Sequence, residues 1–108
     1  MKLLTKKITK GLPKLYTTEK VPTGEKTCIV KFFQPWGNWT WYAVEFDGKD
    51  TFFGLVDGFE LEWGNFSLSE LKSVQGPFGL PIERDRYFGM PQMKDISALQ
   101  GREASWCY

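Results

Sequence analysis

Residues 38–63 read NWTWYAVEFDGKDTFFGLVDGFELEW. Three β-branched and aromatic runs are separated there by two Asp-Gly pairs, Asp47-Gly48 and Asp57-Gly58. Such runs favour extended backbone, and Asp-Gly is a strong short-range hairpin signal. The pattern predicts strands over 38–46, 51–56 and 59–63, joined as an antiparallel meander. Upstream, residues 27–33 have the same character, and the turn over 35–37 adds that strand to the front.

Outside this block the signals change to short helices. Thr5 can cap a first helix that Leu3, Leu4, Ile8 and Leu12 dock and that Gly11 and Pro13 end. Ser67 stands three residues before Glu70, the capping-box spacing, and Leu68, Leu71 and Val74 then share a face until Gly76-Pro77 stops the helix. Residues 82–88 read as a short edge strand, and 91–99 as a last turn or helix. The expected architecture is one α+β domain with a central antiparallel β-meander of three to five strands and short flanking helices. Its parts are an N-terminal helical segment (1–16), the meander (27–66), a helix (67–75) and a variable C-terminal tail (89–108).

With 108 residues the chain fits one domain, and 42% hydrophobic with 17% aromatic residues excludes wholesale disorder. There is no histidine, which removes Ser-His-Asp and Cys-His catalysis and imidazole metal ligands. Two cysteines, Cys28 and Cys107, cannot build a four-ligand zinc site or a disulfide framework. Cys28 reads as a buried small hydrophobe and Cys107 as exposed, with no disulfide between them. No metal or cofactor is expected. No signal-peptide pattern or run of roughly 18 apolar residues occurs, so a cytoplasmic, membrane-free setting is expected. Asp47, Asp50 and Asp57 sit where aspartate favours turns, and no phosphate-binding glycine motif is present. An enzyme is therefore not expected.

Net charge is +1, but the charges are segregated. Residues 1–31 hold eight lysines against Glu19 and Glu25, whereas residues 32–71 hold one lysine against seven acids. Alternation along the second strand places Trp39, Trp41, Ala43, Glu45 and Asp47 on one face and Tyr42, Val44 and Phe46 on the other. Glu60 and Glu62 likewise share a side. Glu45, Asp47, Glu60 and Glu62 are thus expected to form an acidic surface for a basic partner. Twelve of the 18 aromatics fall between Phe32 and Phe66, more than one sheet face needs. Trp36 and Trp39, at a turn and a strand start, are the candidates for exposure. The alternative surface is basic: Lys6, Lys7, Lys10 and Lys14 could meet phosphates of a nucleic acid.

Several motifs occur in order: Leu3-Leu4-Thr5-Lys6, Leu12-Pro13-Lys14-Leu15-Tyr16, Val30-Lys31-Phe32-Phe33, Asn38-Trp39-Thr40-Trp41-Tyr42, Phe52-Phe53-Gly54-Leu55-Val56-Asp57-Gly58, Phe66-Ser67-Leu68-Ser69-Glu70-Leu71 and Gly79-Leu80-Pro81-Ile82-Glu83-Arg84-Asp85. On these the chain resembles domain-of-unknown-function family 2958, small proteins often carried by plasmids, phages and integrated elements. The resemblance runs from residue 3 to about residue 88; the tail from Gly89 departs from it. It implies no catalytic residue. It implies a mobile-element setting, in which small single-domain proteins are often inhibitors of host defence of the anti-CRISPR or antirestriction type. The expected function is a non-enzymatic protein-binding protein whose partner is a host or mobile-element complex with a basic surface. The alternative is a nucleic-acid-binding accessory protein that uses the N-terminal lysines.

Overall fold

Helix α1 (Lys6–Gly11) is followed by strands β1 (Val30–Phe33), β2 (Thr40–Phe46), β3 (Thr51–Asp57) and β4 (Leu61–Ser67), helix α2 (Leu68–Ser73) and a short strand β5 (Glu83–Arg84). The structure is a computed structural model that describes residues 2–100 and Arg102. The strands form one sheet in the order β4-β3-β2-β1-β5, every neighbouring pair antiparallel. This is an α+β meander with an added edge strand. The fourth strand runs further than 59–63, to Ser67, because β3 offers a partner for each of its residues, from Asp57 opposite Leu61 to Thr51 opposite Ser67. Gly64 and Asn65 are poor strand residues alone; pairing overrides their propensity.

Both helix starts are capped as their sequences imply. The Thr5 side chain accepts the Ile8 N–H at 3.2 Å, and the Ser67 hydroxyl accepts the Glu70 N–H at 3.0 Å. Asp50 ties the β2–β3 hairpin to α2: its carboxylate accepts the backbone N–H and the hydroxyl of Ser69, each at 2.8 Å.

Two separate cores cover the two faces of the sheet. On one face, Phe32, Trp41, Phe46, Phe52 and Phe66 pack with Leu3 and Leu12 from the N-terminal segment and with Leu71 of α2. Stacking runs through Phe46, Phe52 and Phe66, with centroids 4.5 and 5.2 Å apart. On the other face, Tyr42, Val44, Leu55 and Cys28 lie under Met93, Ile96 and Leu99. These last three project from two 3-10 turns, Met93–Asp95 and Ser97–Leu99. The first part of the tail is therefore a structural cover. Cys28 is a buried free thiol, as its apolar surroundings suggest; Cys107 lies outside the described residues.

Simple alternation fails in β2. Ala43 pairs with Gly54, yet the next pair is Glu45 with Phe53, so Val44 is an extra residue in a β-bulge. Beyond the bulge the faces exchange: Phe46 joins Trp41 and Ala43 in the first core, and Glu45 follows Val44 to the opposite face. Gly54 makes the bulge sterically feasible. A Cβ there would lie 1.9 Å from the Tyr42 carbonyl oxygen.

Candidate partner-binding surface

Antiparallel order brings three connections to one end of the sheet. These are the β1–β2 turn (34–39), the β3–β4 turn (58–60) and the loop that leads into β5. Each is built around an aromatic ring. In the first turn Gln34 donates its N–H to the Trp39 carbonyl at 3.0 Å. The Trp39 indole lies over Gly58 of the second turn, where a Cβ would come within 2.3 Å of the ring, and the Trp36 indole lies over Gly76 of the third in the same way. Glycine at both positions lets the rings lie flat against backbone. Trp36 and Trp39 are accordingly half-buried, each giving one face to the protein.

The rings beyond them are not covered. Phe59 meets Trp39 edge-to-face at 5.2 Å but is 94% exposed, and Phe78 is 103% exposed. Phe78 also has φ +58°, a left-handed conformation that costs a phenylalanine about 1 kcal/mol. A large apolar side chain held outward in an unfavourable backbone state makes Phe78 a candidate contact residue.

Charge at this end is one-sided. Residues 34–40, 57–63 and 75–83 hold Asp57, Glu60, Glu62 and Glu83 and no lysine or arginine. Asp57 is taken: Arg102 grips its carboxylate with two hydrogen bonds of 2.7 and 2.9 Å. Glu60 and Glu62 are exposed, and among the described residues neither has an ion-pair partner. Together with Trp39, Val56, Gly58 and Phe59 they line a notch of about 240 Å³.

The four acids expected to act together are separated. Glu45 corrects the expectation of an exposed acidic strand face: the bulge turns it inward and it is 3% exposed. Its carboxylate accepts the backbone N–H groups of Tyr16 at 2.8 Å and Thr18 at 3.0 Å, together with the Thr18 hydroxyl. The buried Lys26 ammonium donates to the Thr18 carbonyl and, at 3.0 Å, to its hydroxyl. Burial pulls the Lys26 pKa below its usual value, against the opposing pull of Glu45 and Glu19. Asp47 sits at the other end of the sheet, about 20 Å along β2 from the aromatic turns. It closes the hairpin by accepting the N–H of Lys49, Asp50 and Thr51 at 2.7, 2.8 and 3.0 Å, and these bonds, that of Lys49 foremost, hold its carboxyl below the usual range. Only Glu60, Glu62, Trp36 and Trp39 of the predicted set share an end.

The lysines of the alternative surface, Lys6, Lys7, Lys10 and Lys14, are all exposed, on α1 or just after it. Lys7 borders a groove of about 530 Å³ with Arg84 and Arg86, floored by Ile8, Ile29 and Phe88. Lys6 and Lys10 line a separate, shallower groove. Phe59 and Phe78 were not singled out by sequence reasoning. Their signal was available in their contexts, Asp57-Gly58-Phe59 and Pro77-Phe78-Gly79, where turn residues leave an aromatic side chain no inward direction.

Fold and surface define a small antiparallel α+β domain with an aromatic end whose connecting segments hold no lysine or arginine, and no helix among the described residues is long and apolar enough to cross a membrane. The chain belongs to the family described as "Protein of unknown function (DUF2958)", whose model matches residues 3–100. That match includes Met93, Ile96 and Leu99, beyond the span of the sequence motifs. No curated protein and no solved structure matches the chain.

Proposed function

We propose that this chain is a non-enzymatic protein-binding protein that engages a partner's basic surface through the aromatic, acidic end of its sheet. The observation that carries this reading is the combination of exposed Phe59 and Phe78 with Glu60 and Glu62, which have no ion-pair partner among the described residues, in connecting segments that hold no lysine or arginine. Aromatic anchors supply contact area at low entropic cost, and flanking carboxylates steer a basic partner. The other carboxylates weighed for chemistry have structural duties: Asp47 and Asp50 hold turns, and Asp57 holds Arg102. The mobile-element setting implied by the family resemblance favours a host defence complex of the CRISPR or restriction kind as partner. Such complexes carry basic surfaces that hold nucleic acid, which fits an acidic ligand.

Tagged protein immobilised with nuclease-treated host extract tests the reading, provided the variants are run in parallel. Phe59→Ser with Phe78→Ser is expected to abolish capture of a defined partner. Glu60→Lys with Glu62→Lys is expected to slow its association and flatten the salt dependence. Replacement of Lys6, Lys7 and Lys10 by alanine is expected to leave capture intact. Capture that survives both changes at the aromatic end overturns the proposal.

The second reading, nucleic-acid binding by the lysine-rich segment, draws support from Lys7 standing beside Arg84 and Arg86 across one groove. Retention of a nucleic acid that is lost on replacing Lys6, Lys7, Lys10 and Lys14 would favour it.

A further inference from the structure

The notch beside the β3–β4 turn has a more specific chemistry than its surroundings. Its walls are the Trp39 indole and the Phe59 ring, perpendicular at 83° with centroids 5.2 Å apart. Its rim carries Glu60 and Glu62, two positions apart where the chain enters β4, hence about 7 Å in extended backbone. Its volume of about 240 Å³ has room for about eight waters, more than the heavy atoms of one long side chain. Among the described residues no cation fills it. An indole face, a second ring and two uncommitted carboxylates are complementary to a flat cation. The guanidinium group stacks on aromatic faces and offers donors on several edges, so it can rest on the indole while reaching toward both carboxylates. A lysine ammonium, compact and strongly hydrated, uses the flat wall less well.

We propose that this notch is a binding site for a single arginine side chain, presented by the partner. The assignment rests on the protein-binding reading and deepens it by naming the group that the acidic end recognises. Phe59 supplies an outer wall, Trp39 the floor, and Glu60 and Glu62 the charge.

The test uses the intact protein and the nitrogen–proton NMR signal of the Trp39 indole, assigned by its disappearance in Trp39→Phe. N-acetyl-arginine amide is expected to shift that signal saturably, with N-acetyl-citrulline amide, its neutral isostere, about tenfold weaker. Glu60→Gln with Glu62→Gln is expected to weaken arginine binding about tenfold, as is Phe59→Ala, whose exposed ring is not needed for folding. The absence of a saturable shift in the wild type, or equal shifts with citrulline or N-acetyl-lysine amide, overturns the assignment. If capture of the partner is lost with Phe59→Ser and Phe78→Ser while the arginine probe gives no shift, the site falls and the protein-binding reading stands. An arginine shift alongside capture indifferent to those substitutions supports the site and overturns the reading.

Discussion

The Glu45 carboxylate in β2 accepts the backbone N–H of Tyr16, 29 positions away in sequence, at 2.8 Å. Tyr16 has φ +70°, an unfavourable state for a tyrosine, so the inward glutamate holds the 16–18 segment in a conformation it would not keep alone. Through Thr18 the same carboxylate is linked to the buried Lys26. Replacing Glu45 with alanine leaves two backbone N–H groups and the Thr18 hydroxyl without their acceptor, and the buried Lys26 without a neighbouring negative charge. The expected loss is about 3 kcal/mol, read from urea unfolding. A loss within 0.5 kcal/mol, the usual scale of a surface change, would show that the network contributes little.

Gly54 stands opposite the β2 bulge. Its missing Cβ would meet the Tyr42 carbonyl oxygen at 1.9 Å and the carbonyl carbon at 2.9 Å, both backbone atoms that cannot turn aside. Gly54→Ala is expected to cost about 3 kcal/mol. Gly64, whose Cβ would meet nothing within 4 Å, is the internal control: Gly64→Ala should be far milder in the same denaturation experiment.

Gly58 differs because its neighbour is a ring rather than backbone. A Cβ there would lie 2.3–2.6 Å from three atoms of the Trp39 indole, which can swing outward. Gly58→Ala is expected to cost only about 1 kcal/mol while moving Trp39 into water. Red-shifted tryptophan emission, absent when Trp39→Phe is added, checks this.

Two buried acids predict weakness at high pH. Burial raises the Cys28 thiol above its usual 9.0 and, with help from the Asp57 charge, pushes the Tyr42 phenol from 10.0 up to about 12. Each group stays protonated in the folded chain after its unfolded counterpart has ionised. Its stabilisation is therefore complete below the unfolded pKa and declines above it, by about 1.4 kcal/mol per pH unit. Lys26 acts with the opposite sign, its lowered pKa adding stability as pH rises toward 10.5. Between pH 10.5 and 12 only the two acids remain in play, so stability should fall there. Tyr42→Phe should roughly halve the slope. An unchanged slope would remove Tyr42 from the account.

Much of this architecture was legible because it is local. Aromatic and β-branched runs around two Asp-Gly pairs specify strands and turns, and Thr5 and Ser67 announce their helices by spacing alone. What was hidden is non-local. No glycine or proline within 43–45 marks the bulge; the sign is Gly54, on the facing strand. Inverting Glu45 depends on donors at Tyr16 and Thr18 that no periodicity connects to it. Met93, Ile96 and Leu99 recur every three residues, a spacing that fits 3-10 turns but is too brief to identify a core segment without the sheet it covers. The acidic end was half-visible: Glu60 and Glu62 were found, whereas Asp47 went to the opposite end with its hairpin and Phe78 lay unnoticed in a Gly/Pro loop.

Because the second face of the sheet is closed by residues 93–99, the order of synthesis matters. As the chain leaves the ribosome, the four-stranded meander and its first cover from the N-terminal segment are complete while Tyr42, Val44 and Leu55 still face water. The nascent protein thus has an interval in which it is folded on one side and adhesive on the other. A chain cut short before Met93 would leave that face bare and suited to aggregation or chaperone capture, so these two 3-10 turns decide whether the sheet is covered on both sides.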